Sequence, residues 1–353
     1  MFLDGKVTFR CQAESDRQED HLEPEVETKG QGGGGGAYAG DDIGDFEGLI
    51  QVYSERVLSF DMDVYNAFAG VARQLSFRLQ TDLCHGIPVR YFDWFLLWGP
   101  LADQVRRPNA PSWSWAGWVG GSFPRIWDWY NRSIHRINKA IRKRTWIIWY
   151  QRYGHDSTYC ELLFKHYEGR PGSSTKRNFY GARAHHRFDL DCSRTEPTEK
   201  LLASEGATEL PEYSIDILSP QPGSGFLQFW TVSMTLRLDE PTSSADDAGP
   251  RHTRRSLGIF GRSGRELGTV SVQRAWLERN AAPREAEFIL LCEGRDKRAE
   301  NGRIDDEDGW RYKAMLIEWH GDYAERVAIG SIGKGDLGEA LGDGMCWKEI
   351  ILG

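Results

Sequence analysis

Three groups of residues have the types, though not the spacing, for chemistry. Gly333-Lys334-Gly335-Asp336-Leu337-Gly338 matches G-x-G-x-x-G, in which glycines let the backbone approach a pyrophosphate at the start of a helix. Only 15 residues follow, too few for the helix, strand and ribose-binding acid that the motif requires, so the stretch reads as a Gly-rich hairpin turn and no cofactor is expected. His155, Cys160 and His166, and again His185, His186 and Cys192, are metal-capable, but neither set has the short paired spacings of structural zinc sites. They read as surface placements without a metal. Cys84-His85 offers a thiol and a base, yet sequence neighbours rarely point at one another, and the pair reads as a buried cysteine beside a turn histidine. No G-x-S-x-G, H-E-x-x-H or Walker A pattern occurs. No catalytic residue is assigned, and the expectation is that the chain is not an enzyme.

The fourth group is aromatic. Pro111-Ser112-Trp113-Ser114-Trp115-Ala116-Gly117-Trp118 places three indoles within six residues. A sugar or base platform uses exposed tryptophan, whereas Pro, Ala and Gly between the rings favour close packing, with each indole N–H seeking a partner. The motif reads as core.

Composition sets the frame around these groups. The chain has 353 residues, 40% of them hydrophobic and 14 of them Trp, enough to fill a substantial core. No run approaches the roughly 18 apolar residues of a membrane span, and Met1 to Lys6 lacks a signal-peptide pattern. Six scattered cysteines argue against a disulfide scaffold, and a cytoplasmic protein with reduced thiols is expected, without stable membrane insertion. The formal net charge is -8, but residues 125–200 carry 16 Lys plus Arg against 8 Asp plus Glu. This basic stretch reads as a solvated insertion facing acidic neighbours; no nucleic-acid partner is expected, and the oligomeric state is open.

The elements that must position the aromatic motif come from periodicity. Residues 1–11 read as a hairpin about Asp4-Gly5, and the acidic, Gly-rich residues 12–41 as a flexible linker. A helical unit spans 42–120. Phe46, Leu49, Ile50, Tyr53 and Val57 form one helical face, and Tyr65, Phe68, Ala72, Leu75 and Leu79 another. Tyr91 to Trp98 reads as a third short helix stopped by Gly99-Pro100. Within a basic helical and aromatic segment at 121–168, Ile134, Ile137, Ile141 and Ile148 predict an amphipathic helix over 132–149 that packs on the core rather than on a membrane. A polar linker at 169–209 leads to a β-rich domain at 210–353. There Trp230, Val232, Met234, Leu236 and Leu238 alternate with polar residues as the inner face of a strand. Further strands are expected at 257–260, 268–272, 287–292, 312–319, 326–332 and 347–352, with a hairpin about Ser263-Gly264. The fold class is α+β: a small helical unit followed by a mostly antiparallel sandwich or partial barrel.

Several stretches together resemble fungal heterokaryon-incompatibility (HET domain) proteins, in the region that follows the HET domain. The resemblance is carried by residues 2–11, by Tyr53-Ser54-Glu55-Arg56, by Asn66 to Val71 and by His85-Gly86-Ile87-Pro88. It continues in Phe92-Asp93 with Leu97-Trp98, in Pro111 to Trp118, and in the later pieces 146–150, 225–238, 325–330 and 347–353. It implies a role in non-self recognition and programmed cell death after fusion of unlike hyphae, with protein partners or a HET domain of its own. The HET domain is thought to resemble TIR-type death domains. Here only its trailing hairpin is expected, and with it an N-terminally truncated protein. The matching motif residues, Tyr53, Ser54, Arg56, Phe92, Asp93, Leu97, Trp98 and Pro111 through Trp118, are structural in this reading. A second reading is a β-rich module that binds carbohydrate or peptide through surface tryptophan.

Overall fold

Apolar spacing decides where the chain turns from helix to sheet. The computed structural model describes residues 2–3, 6–7, 42–61, 63–123, 145–154, 160–163, 190–192, 194–198, 225–242, 254–280, 282–295, 310–341 and 344–353. The chain divides into two units, Met1–Ala37 and Tyr38–Gly353. In the first, β1 (Phe2–Leu3) pairs antiparallel with β2 (Lys6–Val7). The expected linker at 12–41 lies mostly in this unit and, up to residue 41, outside the described residues.

The second unit opens with α1 (Asp42–Ser54) and α2 (Asp63–Leu79). Phe46 and Ile50 of α1 and Phe68, Ala72, Leu75 and Leu79 of α2 are buried at the predicted spacing. Val57, expected on the first face, lies beyond the end of α1 and is 88% exposed, because the helix stops before its stripe can reach that far. A tight hairpin follows, β3 (Leu83–Cys84) with β4 (Ile87–Pro88), then a 3-10 turn at Val89–Tyr91 and the one-turn helix α3 (Phe92–Phe95). The expected helix over 91–98 is thus half as long. Two small ladders complete this part: β5 (Gly99–Pro100) with β8 (Ser122–Phe123), and β6 (Val105–Arg106) with β7 (Trp118–Val119).

The predicted basic helix over 132–149 ends differently. Residues 124–144 lie outside the described residues, but Thr145 bridges Cys292 and residues 146–149 run without helix into β9 (Tyr150–Arg152). Trp146, Ile147 and Trp149 are buried along this extended stretch, where a run of bulky, largely β-branched and aromatic residues suits a strand-like path. β10 (Cys160–Leu162) pairs with β9.

The remaining strands are β11 (Phe226–Asp239), β12 (Arg254–Phe260), β13 (Glu266–Gln273), β14 (Arg284–Arg295), β15 (Trp310–His320), β16 (Tyr323–Gly333) and β17 (Met345–Leu352). Two short helices sit between them, α4 (Arg274–Arg279) and α5 (Lys334–Leu341). Pairing runs antiparallel from β11 through β12, β13, β16, β15 and β14 and returns from β14 to β11, so six strands close into a barrel. The fold is α+β with one dominant, largely antiparallel β-rich sheet. Among the described residues no helix is long and apolar enough to cross a membrane.

The 14-residue length of β11 permits this closure. Its second half, from Ser233 on, pairs with β14 and β12; its first half extends past the barrel and pairs with β9 and β17. Its two halves bury opposite faces. Met234, Leu236 and Leu238 are buried while Thr235 and Arg237 are exposed; in the first half Leu227, Phe229 and Thr231 of the other face are fully buried. Trp230, expected on the inner face with Val232, is only half-buried, because at that point the strand has left the barrel. The helices, Trp146, Trp149 and the barrel share one hydrophobic core.

The Gly333 to Gly338 stretch, expected as a hairpin turn, is the junction from β16 into α5. No crowding explains its helical glycines: a Cβ on Gly335 or Gly338 would meet nothing within 4 Å. Gly268 is the opposite case. There a Cβ would lie 1.9 Å from the carbonyl oxygen of Ser331 on β16, so only glycine lets the two strands approach. We predict that Gly268→Ala lowers stability by roughly 1–3 kcal/mol or more, whereas Gly338→Ala is neutral or raises it by up to about 1 kcal/mol through helix propensity. Equal denaturation midpoints for the two variants would contradict this.

Candidate functional site

The tryptophan motif is built against a turn. His85 and Gly86 both adopt positive φ, 48° and 80°, as the two central residues of a two-residue hairpin between β3 and β4. This flattens the turn against an indole: a Cβ on Gly86 would stand 2.9 Å from Cζ2 of Trp115, and Gly86 accepts the Trp115 Nε1–H at 2.9 Å through its carbonyl oxygen. The His85 ring meets the Tyr65 hydroxyl at 2.8 Å through Nδ1 and packs edge-on to Trp113. Ser114 donates to the His85 carbonyl at 2.6 Å and accepts Ala116 N–H at 3.0 Å, capping the 3-10 turn at Trp115–Gly117.

Every indole in the motif is satisfied by main chain. Trp113 donates to Gly225 O at 3.0 Å, Trp118 to Ser112 O at 2.8 Å, and neighbouring Trp98 to Trp113 O at 2.8 Å. Trp113 and Trp115 are fully buried, as expected of core; Trp118 is half-buried beneath the Arg106 guanidinium. Gly117 leaves no room for a side chain, since a Cβ would lie 2.2 Å from Pro111 O.

Phe92, Ser54, Tyr53, Arg56, Leu97 and Ala116, named with the motif above, lie around it. Phe92 packs between Trp113 and Trp149, with ring centroids 5.5 and 5.3 Å away. Ser54, fully buried, accepts Ser122 N–H at 2.6 Å and so fixes the end of α1 to β8. Tyr53 packs edge-on to Phe68, and the Arg56 guanidinium lies 4.2 Å over the Tyr53 ring. Leu97 and Ala116 complete the same core cluster.

Two buried arginines that sequence reasoning did not single out brace this assembly: Arg326 holds it to the barrel and Arg107 ties the motif to Asp61. Arg326 of β16 is 4% exposed; its Nη1 donates to Leu96 O at 2.8 Å, its Nη2 to Trp98 O, and its guanidinium sits 3.7 Å over the Trp98 ring. Its own backbone N–H reaches Ser112 Oγ at 2.8 Å, and Ser112 in turn binds Gly353 O through both its N–H and its hydroxyl. Arg107, 1% exposed, donates to Ala116 O at 3.1 Å and Trp118 O at 2.6 Å and faces Asp61 at 3.5 Å. Beside it Arg106 pairs with Glu325 at 3.4 Å. A lone arginine inside an alternating strand such as Tyr323–Gly333 reads as an outward residue, which is why its burial gave no signal although 325–330 is one of the pieces that carry the resemblance.

The electrostatics point away from nucleophilic chemistry. Burial pushes the Cys84 thiol well above its ordinary range, and the Tyr65 phenol likewise, so both stay protonated. Cys292 is raised for the same reason. Cys160 lies buried 2.8 Å from Gln228 Oε1 and Cys192 in the core; the histidines proposed alongside them lie outside the described residues. Among the described residues no cluster of metal-ligating side chains forms. Asp93 behaves differently. It is 3% exposed, accepts the Trp149 indole N–H at 3.1 Å, and burial lifts its carboxyl to about 7 despite that bond. The site as a whole is a lock in which hydroxyls, indoles and guanidinium groups are taken up by backbone carbonyls. Compared with known proteins, the chain matches no family model, no curated sequence and no solved structure.

Two predictions follow from burial and charge. Trp115→Ala removes a fully buried indole and its hydrogen bond, and should cost about 3–5 kcal/mol; an unchanged thermal melt would refute the packing. For Asp93, the folded pKa lies above the unfolded value of about 3.9, so the folded state holds the extra proton between about 4 and 7. Its contribution is complete below about 4 and lost as pH rises through about 7. Asp93→Asn keeps an acceptor for Trp149 and cannot ionise. Its melting temperature should therefore gain on that of the wild type as pH rises across this window, and parallel profiles would contradict the assignment.

Proposed function

We propose that this chain is a non-enzymatic regulatory or recognition region of a fungal heterokaryon-incompatibility protein, acting in the cytoplasm through protein partners or its own HET domain. What supports the reading is the character of the residues that carry the resemblance. From Tyr53 to Trp118 they meet in one seam, and Ser112, Ser114, Trp98, Trp113, Trp115 and Trp118 all direct their polar atoms at main chain. Such a motif fixes shape rather than reacting, as a family signature would if its role were to present a surface in a fixed geometry. A sugar platform made of Trp113, Trp115 and Trp118 would need exposed ring faces, and the first two have none.

The test is expression of residues 1–353 in a fungal host, alone and joined behind a HET domain, while viability and dinucleotide levels are followed. The lone chain should leave both unchanged, and the joined form should kill only in a non-self pairing. Death or dinucleotide loss from the lone chain, abolished by a substitution that leaves the fold intact, would overturn the proposal in favour of an enzyme.

A further inference from the structure

The outer face of β11 and β17, beyond the barrel, carries a second pair of tryptophans that the motif does not use. Trp230 stands opposite Glu349 and Trp347 opposite Val232 in the antiparallel register, which puts Trp230, Glu349 and Trp347 on one face. A segment of the same chain, Arg194 to Thr198, lies on them without helix or strand of its own. Trp347 donates its indole N–H to Arg194 O at 2.5 Å, and Trp230 donates to Glu196 O at 3.0 Å. Glu349 accepts Thr198 N–H at 2.9 Å and the Thr198 hydroxyl. Pro197 is buried, whereas Arg194, Glu196 and Thr198 are exposed.

This is recognition of backbone. The two indoles take carbonyls two residues apart, a proline fills the space beyond them, and a carboxylate reads the N–H and hydroxyl of the next residue. Aromatic grooves that capture extended proline-containing peptides work in the same way. The receiving side is also set independently of its occupant. Gln228 donates to Glu349 at 2.7 Å, and the Gln228 carbonyl is itself held by Arg152 of β9 at 2.8 Å, so the carboxylate is oriented from within the sheet.

We propose that this face is a peptide-binding surface for extended segments in which Ser or Thr follows Pro, and that Arg194 to Thr198 occupies it in cis as an autoinhibitory strap. A partner must offer two free carbonyls, the proline and a hydroxyl residue; an acidic residue at that last position is repelled by Glu349. Nothing in this contact depends on the incompatibility reading. A short tether gives the strap an effective concentration in the mM range, so a free peptide gains the site only when the strap is weakened.

The full chain is the reagent, and the probe is a fluorescein-labelled peptide with the sequence of residues 192–200 carrying Cys192→Ser, followed by anisotropy. Thr198→Glu in the protein sets two carboxylates against each other and should raise peptide affinity at least tenfold over wild type. Replacing residues 194–198 by a Gly/Ser stretch should do the same, and a cooperative melt confirms that each variant is folded. In either released form, Trp230→Phe combined with Trp347→Phe keeps the rings but removes both donors, and should lower affinity at least tenfold. The proposal fails if neither folded, released form binds the peptide more tightly than wild type. It also fails if loss of both indole N–H groups changes nothing, or if the released face takes an oligosaccharide and not the peptide.

Discussion

The packing of helices onto barrel depends on one buried cation. Arg326 stands on the buried register of β16 with Ala324, Ala328 and Ile332, faces the seam, and gives its two terminal nitrogens to the carbonyls of Leu96 and Trp98 while stacking on the Trp98 ring. A buried guanidinium without compensation costs several kcal/mol, so the groups around it cannot be arbitrary. They are the carbonyls of the cap of a one-turn helix and of the loop just after it, which themselves need donors. Each side removes the other's desolvation penalty, and the ring supplies a further cation–π contact. Lysine in this place would offer a point charge without the fork or the flat face that stacks on Trp98.

Around that contact the aromatic motif acts as a spacer. Ser112 links the Arg326 backbone to Gly353, Trp113 reaches Gly225, and Trp149 joins Phe92 and Asp93 to Phe229 of β11. The rings meet edge to face, the arrangement their quadrupoles favour. Glycine at positions 86 and 117 lets backbone lie against indole and carbonyl where any side chain would separate them. The motif's composition, alternating large and minimal residues, follows from that geometry.

Local pattern carried much of this into view. The six predicted barrel and edge strands after Leu257, the turn at Ser263-Gly264 and the buried stripe of α2 rest on period and turn residues, and each appears where the spacing puts it. The burial of Trp113 and Trp115 was legible too, because small residues between indoles leave no reason for exposure. What spacing could not give is register. Closure of the barrel rests on which halves of β11 meet which partners, and Trp230 shares the strand face of Val232 and Met234 yet stays half-buried because the strand changes partners there. The glycines at 335 and 338 suggested a turn where an eight-residue helix forms, tertiary context overriding propensity. The partners of the motif, Arg326, Gly225 and Gly353, are separated from it by more than a hundred residues, and no local signal joins them.

That separation bears on how the protein is made. The Arg326 bond to Leu96 spans 230 residues and the Ser112 bond to Gly353 spans 241, so the N-terminal helices are synthesised long before the groups that complete their packing. At ribosomal speeds of about 5–20 residues per second, the wait is on the order of 10–50 s. During it Trp98 and Trp113, whose partners Arg326 and Gly225 lie at the barrel, have nothing there to cover them. Aromatic surface left open for that long is prone to aggregate, so what matters for such a chain is the guarding of the interval as well as the stability of the finished fold.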